Sequence, residues 1–540
     1  MRWREAGVAR FLLLAVLGVL VLLTLVAAVL GSAAWWVLLG VLVALVALGV
    51  WDLVQPRHSI LRNYPVLGHM RFLLESIRPE IQQYFIERNV DGRPFDRDTR
   101  SVIYERAKGV HGEKAFGTEL DVNEVGYEYL VHSTAPVEPP ADPPTVTIGG
   151  PDCRQPYEMS LLNVSAMSFG ALSANALRAL NWGAKQGGFA HDTGEGGISP
   201  YHLEHGGDLV WEIGSGYFGA RTKDGRLDQA QFAEKAALPS VKCLSVKLSQ
   251  GAKPGIGGVL PGEKVSQEIA DTRGVPVGEK CISPAAHREF STPRELVHFL
   301  ARMRELGDGK PVGFKLCVSS RVEVLSLCKA MLAESITPDF IIVDGGEGGT
   351  GAAPLEFENR MGSSLTEGLL TVHNALVGTG LRDRIRIGAS GKVATGADIV
   401  RRMIQGADYT NAARAMMMAT GCIQSQRCHT NKCPVGVATQ DPRRARALDV
   451  DDKYQRVRRY QQATVEEALR MIASMGVEDH ADLRPEMLRR VVAPMVVRSY
   501  AELWDWTEPG ELLAEPSAAW AGDWSLADPD HFGLARRPAA

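Results

Sequence analysis

The sequence predicts an α/β protein: a (β/α)8 TIM barrel with an N-terminal transmembrane helical hairpin, a helical lead-in and a helical C-terminal segment. Three observations predict it. Two long, uncharged apolar runs lie near the N-terminus. From about residue 151 to 415, short β-branched runs ending in glycine or small polar residues alternate with helical stretches, the pattern and size of such a barrel. Motif-like stretches fall after those strands, at the end where barrels carry their chemistry. A doubly wound open sheet is the architectural alternative.

At 540 residues the chain is too long for one ordinary domain. Its formal charge of −4 gives no indication of a nucleic-acid partner. Eight unevenly spaced cysteines predict a reducing compartment with free or metal-bound thiols.

Residues 1–52 hold the apolar runs. Phe11 to Leu30 contains only Gly18 and Thr24 outside the aliphatic and aromatic set, and Ala33 to Trp51 is also uncharged. Each run can cross the roughly 30 Å hydrocarbon core as a helix. A cleaved signal peptide is the rival for the first run, but its length and the second span argue against it. Arg2, Arg4 and Arg10 precede the pair, and Arg57, Arg62 and Arg71 follow it. Basic flanks place both ends, and the catalytic body, on the cytoplasmic side of the cell membrane. Trp35, Trp36 and Trp51 belong at the interfaces.

Residues 53–150 read as a helical lead-in closed by a proline-rich linker, "PVEPPADPPTVTIGGP", which cannot continue a helix. Barrel strands are predicted at 161–167, 187–191, 209–214, 244–249, 312–317, 339–344, 384–388 and 407–412. Helices are predicted at 173–186, 263–272, 293–306, 320–334, 362–377 and 396–405. Residues 416–440 form a cysteine loop. Residues 441–540 start with a helical cap, "RVRRYQQATVEEALRMIASMG", and end in a tail without readable chemistry.

"GGEGGTG" and "ASGKVATG" follow the sixth and seventh strands, and "AAR" follows the eighth. Glycine lets backbone amides approach an anion, and barrel phosphate sites lie near the last two strands. These loops predict a phosphate-bearing ligand, with Lys392 and Arg414 adding charge. Lys247 and Lys315 interrupt apolar runs, "LSVKLS" and "GFKLCV", that should be buried. An inward lysine needs an anionic partner, and could face the pyrimidine edge of a flavin.

Cys422, Cys428 and Cys433 form a C-x5-C-x4-C array. Three thiols are one too many for a disulfide. Zinc wants a fourth ligand, for which His429 is the candidate, and spacing alone leaves zinc and an iron–sulfur cluster both open. The remaining cysteines, Cys153, Cys243, Cys281, Cys317 and Cys328, read as ordinary buried thiols.

"QGAKPGIGGVLPG", "GGTGAAP" and "GCIQSQRCHTNKCPVGVATQDP" resemble the synthase domain of glutamate synthases. The likeness is to the short, membrane-anchored FMN-binding glutamate synthase family form, from about residue 57 to about 495. The resemblance implies an FMN-containing barrel that reductively aminates 2-oxoglutarate, with a [3Fe–4S] cluster on Cys422, Cys428 and Cys433. It places 2-oxoglutarate on Gln250, Gly251, Lys253 and Arg273, and makes Glu195 of "TGEGG" the loop acid tied to electron input. Glu195, Lys253 and Arg273 form the expected catalytic set. Flavin contacts fall on Ala166, Met167, Ser168, Lys247, Lys315, Gly349, Thr350, Gly351 and Gly391, and on Ala413 and Arg414 of "NAARA".

A dicarboxylate needs two cationic contacts, and an arginine supplies a planar bidentate grip. Ammonia condensing with the ketone gives 2-iminoglutarate, and hydride from reduced flavin completes the amination. A cluster beside the flavin would feed it electrons singly, whereas zinc has no redox role there.

The chain departs from complete glutamate synthases. It offers no candidate for the N-terminal cysteine of the amidotransferase, and no length for the C-terminal β-helix. Ammonia is expected to be free, supplied by a separate glutaminase subunit, or replaced by another amine. No Rossmann fingerprint lies outside the barrel, so a ferredoxin or a membrane-associated carrier is the expected electron donor. Two alternatives stay open: an N-alkylglutamate synthase or related 2-oxo acid aminating enzyme, and an electron-transfer subunit without synthase activity.

Overall fold

The computed structural model describes residues 2–110 and 112–533. The chain forms two compact units, one up to Arg93 and one from Pro94 onward.

In the first unit, Arg2–Leu30 and Ala34–Val54 are helices packed on each other. Gly49 lets them approach, since a Cβ there would overlap Leu14. Both are long and apolar enough to cross a membrane, and only 17% and 11% of their apolar windows are buried. The chain then turns through Ser59–Asn63 into the helix His69–Ile81, which runs on into a wider turn at Gln82–Ile86. Pro79, inside that helix, removes one backbone donor just before the turn widens.

In the second unit, eight parallel strands close a barrel in sequence order. They are β1 (Leu162–Val164), β2 (His191–Asp192), β3 (Leu209–Ile213), β4 (Val241–Lys247), β5 (Val312–Leu316), β6 (Phe340–Asp344), β7 (Arg386–Ser390) and β8 (Tyr409–Ala412). β8 returns to β1 with Asn411 opposite Asn163. Lys247 lies opposite Lys315, and Glu212 opposite Ser245, so strand alternation sets Glu212, Lys247 and Lys315 on one face.

The second strand is shorter and later than the expected 187–191. Residues 174–187 are helix, ended by Gly188 in the left-handed conformation at φ 69°. β4 begins at Val241, before the expected 244. The helix Gln229–Ala236, which buries Phe232 and Ala236 one turn apart, lies outside the helices expected from the sequence.

The proline-rich stretch ends in a strand, Thr145–Ile148, paired antiparallel with Tyr157–Ser160. This pair sits at the N-terminal end of the barrel, where the Gly150 amide donates to Asp339 just before β6. The C-terminal tail is also structured. Leu488–Ala493 pairs with Val496–Ser499 and with Glu128–Leu130. The long helix Val450–Ser474 packs on Ala174–Gly187, where Gly183 leaves room for Val457 and the Tyr454 carbonyl.

Candidate active site

The C-terminal ends of the strands gather the chemistry. Lys247, at the end of β4, donates to Glu195 Oε1 at 2.9 Å and to Gln250 Oε1 at 2.7 Å. Ser283 donates to the other Glu195 oxygen at 3.0 Å. Two glycines make the slot for this carboxylate: a Cβ at Gly214 or Gly258 would overlap it. Burial alone would raise the Glu195 carboxyl, but the Lys247 ammonium outweighs it, with help from Arg273 and Ser283. The carboxyl is held at about 2.

Arg273 and Lys253 share this field. Arg273 is buried at the end of the helix Gln267–Arg273 and donates to the Phe169 carbonyl at 2.9 Å and to Ser168 Oγ at 3.2 Å. Its Nε is buried without a partner. Lys253 donates to the Ala352 carbonyl at 2.6 Å, in the loop that carries Gly349, Thr350 and Gly351. Burial brings its pKa down to about 8, with the Lys247 charge adding to the drop and Glu195 opposing it. Gly251 passes so close to Gly345 that a Cβ would overlap its carbonyl, and its amide donates to Asp344 at 2.8 Å.

Beneath this layer Lys315 pairs with Glu212. Burial would lower the Lys315 pKa, but Glu212, Asp192 and Asp344 together raise it. Burial also raises Asp192 and Asp344, each against the pull of Lys315. The buried lysine has its anionic partner, and Glu212, Asp192, Asp344 and Ser283 lie outside the set of site residues expected from the sequence. Glu212 and Asp344 stand near the ends of apolar strands, in "LVWEIG" and "IIVDGG".

The glycine loops after β6 and β7 also meet. Arg414 donates to the Glu347 carbonyl at 2.7 Å and lies against Gly349, where a Cβ would come 2.7 Å from its Cδ. Burial lowers the Arg414 pKa. Ala413 precedes the helix Arg414–Ala419. Gly391, at φ 144°, lies beside Gly345. Ser165 and Ser390 share a hydrogen bond at 3.1 Å, which ties the strand before Ala166 and Met167 to the end of β7.

The cysteine loop packs on the loop after β1. Gln440 donates to the Leu172 carbonyl at 2.7 Å, and the Ser173 amide to Val437. Lys264, 2% exposed, donates to the carbonyls of Ala171 and Cys428 at 3.1 and 3.2 Å. From the other side Tyr104 donates to the Cys422 carbonyl, and Gln424 exchanges two hydrogen bonds with the Phe95 backbone. None of the eight cysteines is in a disulfide. Burial pushes Cys422 up to about 12, and the Cys428 and Cys433 thiols are close enough to add to that rise. His429 is exposed. Among the described residues no three His, Cys, Asp or Glu side chains converge to seat a single metal ion.

Residues 145–478 match the family described as "Conserved region in glutamate synthase". The glutamate synthase large subunit-like protein YerD of Bacillus subtilis is 36% identical over 484 residues, 82% of this chain and 92% of that protein. An archaeal-type glutamate synthase (NADPH) of Thermotoga neapolitana is 32% identical over 321 residues, 59% of this chain and 60% of that protein. Among solved structures, a mutant flavocytochrome b2 with pyruvate bound superposes with a TM-score of 0.43 at 14% identity, over 84% of this chain and 94% of that one. The matched stretch takes in all eight barrel strands and the cysteine loop, and the chain belongs to the glutamate synthase family.

Proposed function

We propose that this chain is a membrane-tethered flavoenzyme that reductively aminates 2-oxoglutarate to L-glutamate. The observation that carries the reading is the convergence of Glu195, Lys247 and Gln250 at the mouth of the barrel, with Arg273 and Lys253 close enough to share their field. Two buried cations beside a polar cluster suit a dicarboxylate. Membership of the glutamate synthase family supports the same substrate.

The residues fit FMN. Lys247 and Lys315 stand together on the inner face, a Cβ at Gly351 would meet open space, and Arg414 lies against the glycine loop after β6. Ala166, Met167, Ser168, Gly349, Thr350, Gly391 and Ala413 complete the cradle. Bound there, FMN would supply hydride to the substrate. Arg273 and Lys253 hold the two carboxylates of 2-oxoglutarate, and Gln250 and Gly251 position the chain between them. Glu195 accepts from Lys247 and holds its side chain in place. The imine formed from ammonia and the ketone is thereby fixed in one orientation, with water excluded by the surrounding loops.

A [3Fe–4S] cluster would be held by Cys422, Cys428 and Cys433, which pack on one hydrophobic core and lie close enough to act on one another's charge. Such a cluster would pass electrons singly from a ferredoxin or a membrane-associated carrier. Ammonia comes free or from a separate glutaminase subunit. The apolar helices tether the chain, with the barrel on the cytoplasmic side of the membrane.

The test is single-turnover reoxidation. The detergent-solubilised protein is reduced anaerobically and mixed with 2-oxoglutarate plus ammonium, or plus methylamine. Reoxidation with glutamate formed is expected with ammonium. An N-methyl product formed in its place would change the amine, and no reoxidation with either would refute the reading.

A further inference from the structure

The helix His69–Ile81 has no buried residue. Met70, Leu73, Leu74, Ile77, Tyr84 and Phe85 recur at helical spacing through this helix and the wider turn after it, and each is between 41% and 84% exposed. They form one apolar stripe. Arg71 and Arg78, both exposed, lie along one border and Glu80 along the other, while Glu75 and Gln83 lie on the far side. A helix with such a stripe and a basic border suits the boundary between lipid headgroups and acyl chains.

Its attachment places it there. The buried carboxylate of Asp52, in the last turn of the second apolar helix, pairs with His69 Nε2 at 2.9 Å and accepts the Val66 amide at 2.8 Å. His69 is the first residue of the striped helix. The stripe therefore begins at the end of the apolar pair, within the same compact unit. From these contacts we infer that residues 69–86 lie along the bilayer surface, with the stripe in the acyl boundary and Arg71 and Arg78 on anionic headgroups. The inference rests on the reading of the apolar pair as a membrane anchor.

Photo-crosslinking tests it. The full chain is reconstituted in nanodiscs of phosphatidylethanolamine with phosphatidylglycerol. p-Benzoylphenylalanine replaces Phe85 on the stripe, Gln83 on the far side, or Leu22 on the first apolar helix, in separate samples. Lipid adducts are expected at positions 85 and 22 and not at 83. In Leu73→Asp/Ile77→Asp the adduct at 85 should fall at least several-fold while that at 22 stays.

Adducts at 22 with none at 85, equal adducts at 83 and 85, or a crosslink from 85 to protein would overturn the surface helix and leave the anchor standing. No adduct at 22 would overturn the anchor and this inference together. Phosphatidylcholine discs separate the two contributions: retained adducts assign binding to the stripe, and lost adducts to the arginines and anionic lipid.

Discussion

Lys253 is a cation held where cations are costly, and its pKa of about 8 has a kinetic consequence. A lysine carries its charge below its pKa and loses it as pH rises through that value. With Lys253 on a carboxylate of 2-oxoglutarate, kcat/KM should therefore fall above about pH 8, by about tenfold per pH unit, because this ratio reports the free enzyme. Lys253→Arg stays charged throughout, so its profile should be flat there even if its plateau is lower. Identical profiles would remove Lys253 from the substrate contact. At this scale the cations are more legible in sequence than the anions. Lys247 and Lys315 break apolar runs and announce themselves. Asp344 sits before two glycines and reads equally well as a turn residue, and Glu212 is a lone acid in "LVWEIG". Only the barrel register puts Glu212 beside Lys315.

The slot around Glu195 is a property of loops. Gly214 follows β3, Gly258 lies in the long insertion after β4, and neither has room for a side chain beside the carboxylate. Gly258→Ala should cost about 1–3 kcal/mol of stability through overpacking and displace Glu195 from Lys247. Thermal unfolding and 2-oxoglutarate-dependent reoxidation should both drop, and wild-type values in both would show that the loop moves aside. Strands are legible where β-branched runs meet glycine, as at Phe340–Asp344. β2 is less so, because only His191 and Asp192 pair and the helix before it runs to Gly187. The strand at Thr145–Ile148 is hidden by its prolines. The pairing of Glu128–Leu130 with Leu488–Ala493 spans most of the chain, and no local pattern encodes it.

At the scale of the molecule, both hydrophobic core clusters are drawn entirely from Phe95 onward. A chain beginning at Pro94 should therefore fold without the apolar pair. The expected result is a protein soluble without detergent that unfolds in one cooperative transition, read by size exclusion and circular dichroism. Aggregation, or loss of that transition, would show that the barrel depends on its N-terminal unit. The closure of the barrel also sets an order in time. Its last seam joins Thr410 to the Leu161 carbonyl, 249 residues apart in sequence. Until the ribosome delivers β8, one edge of β1 stays unpaired and open to wrong partners. The apolar pair emerges long before that. On the membrane reading, the nascent barrel waits for its final strand already held at a lipid surface, so the vulnerable interval of its maturation is spent tethered and apart from other unfinished chains.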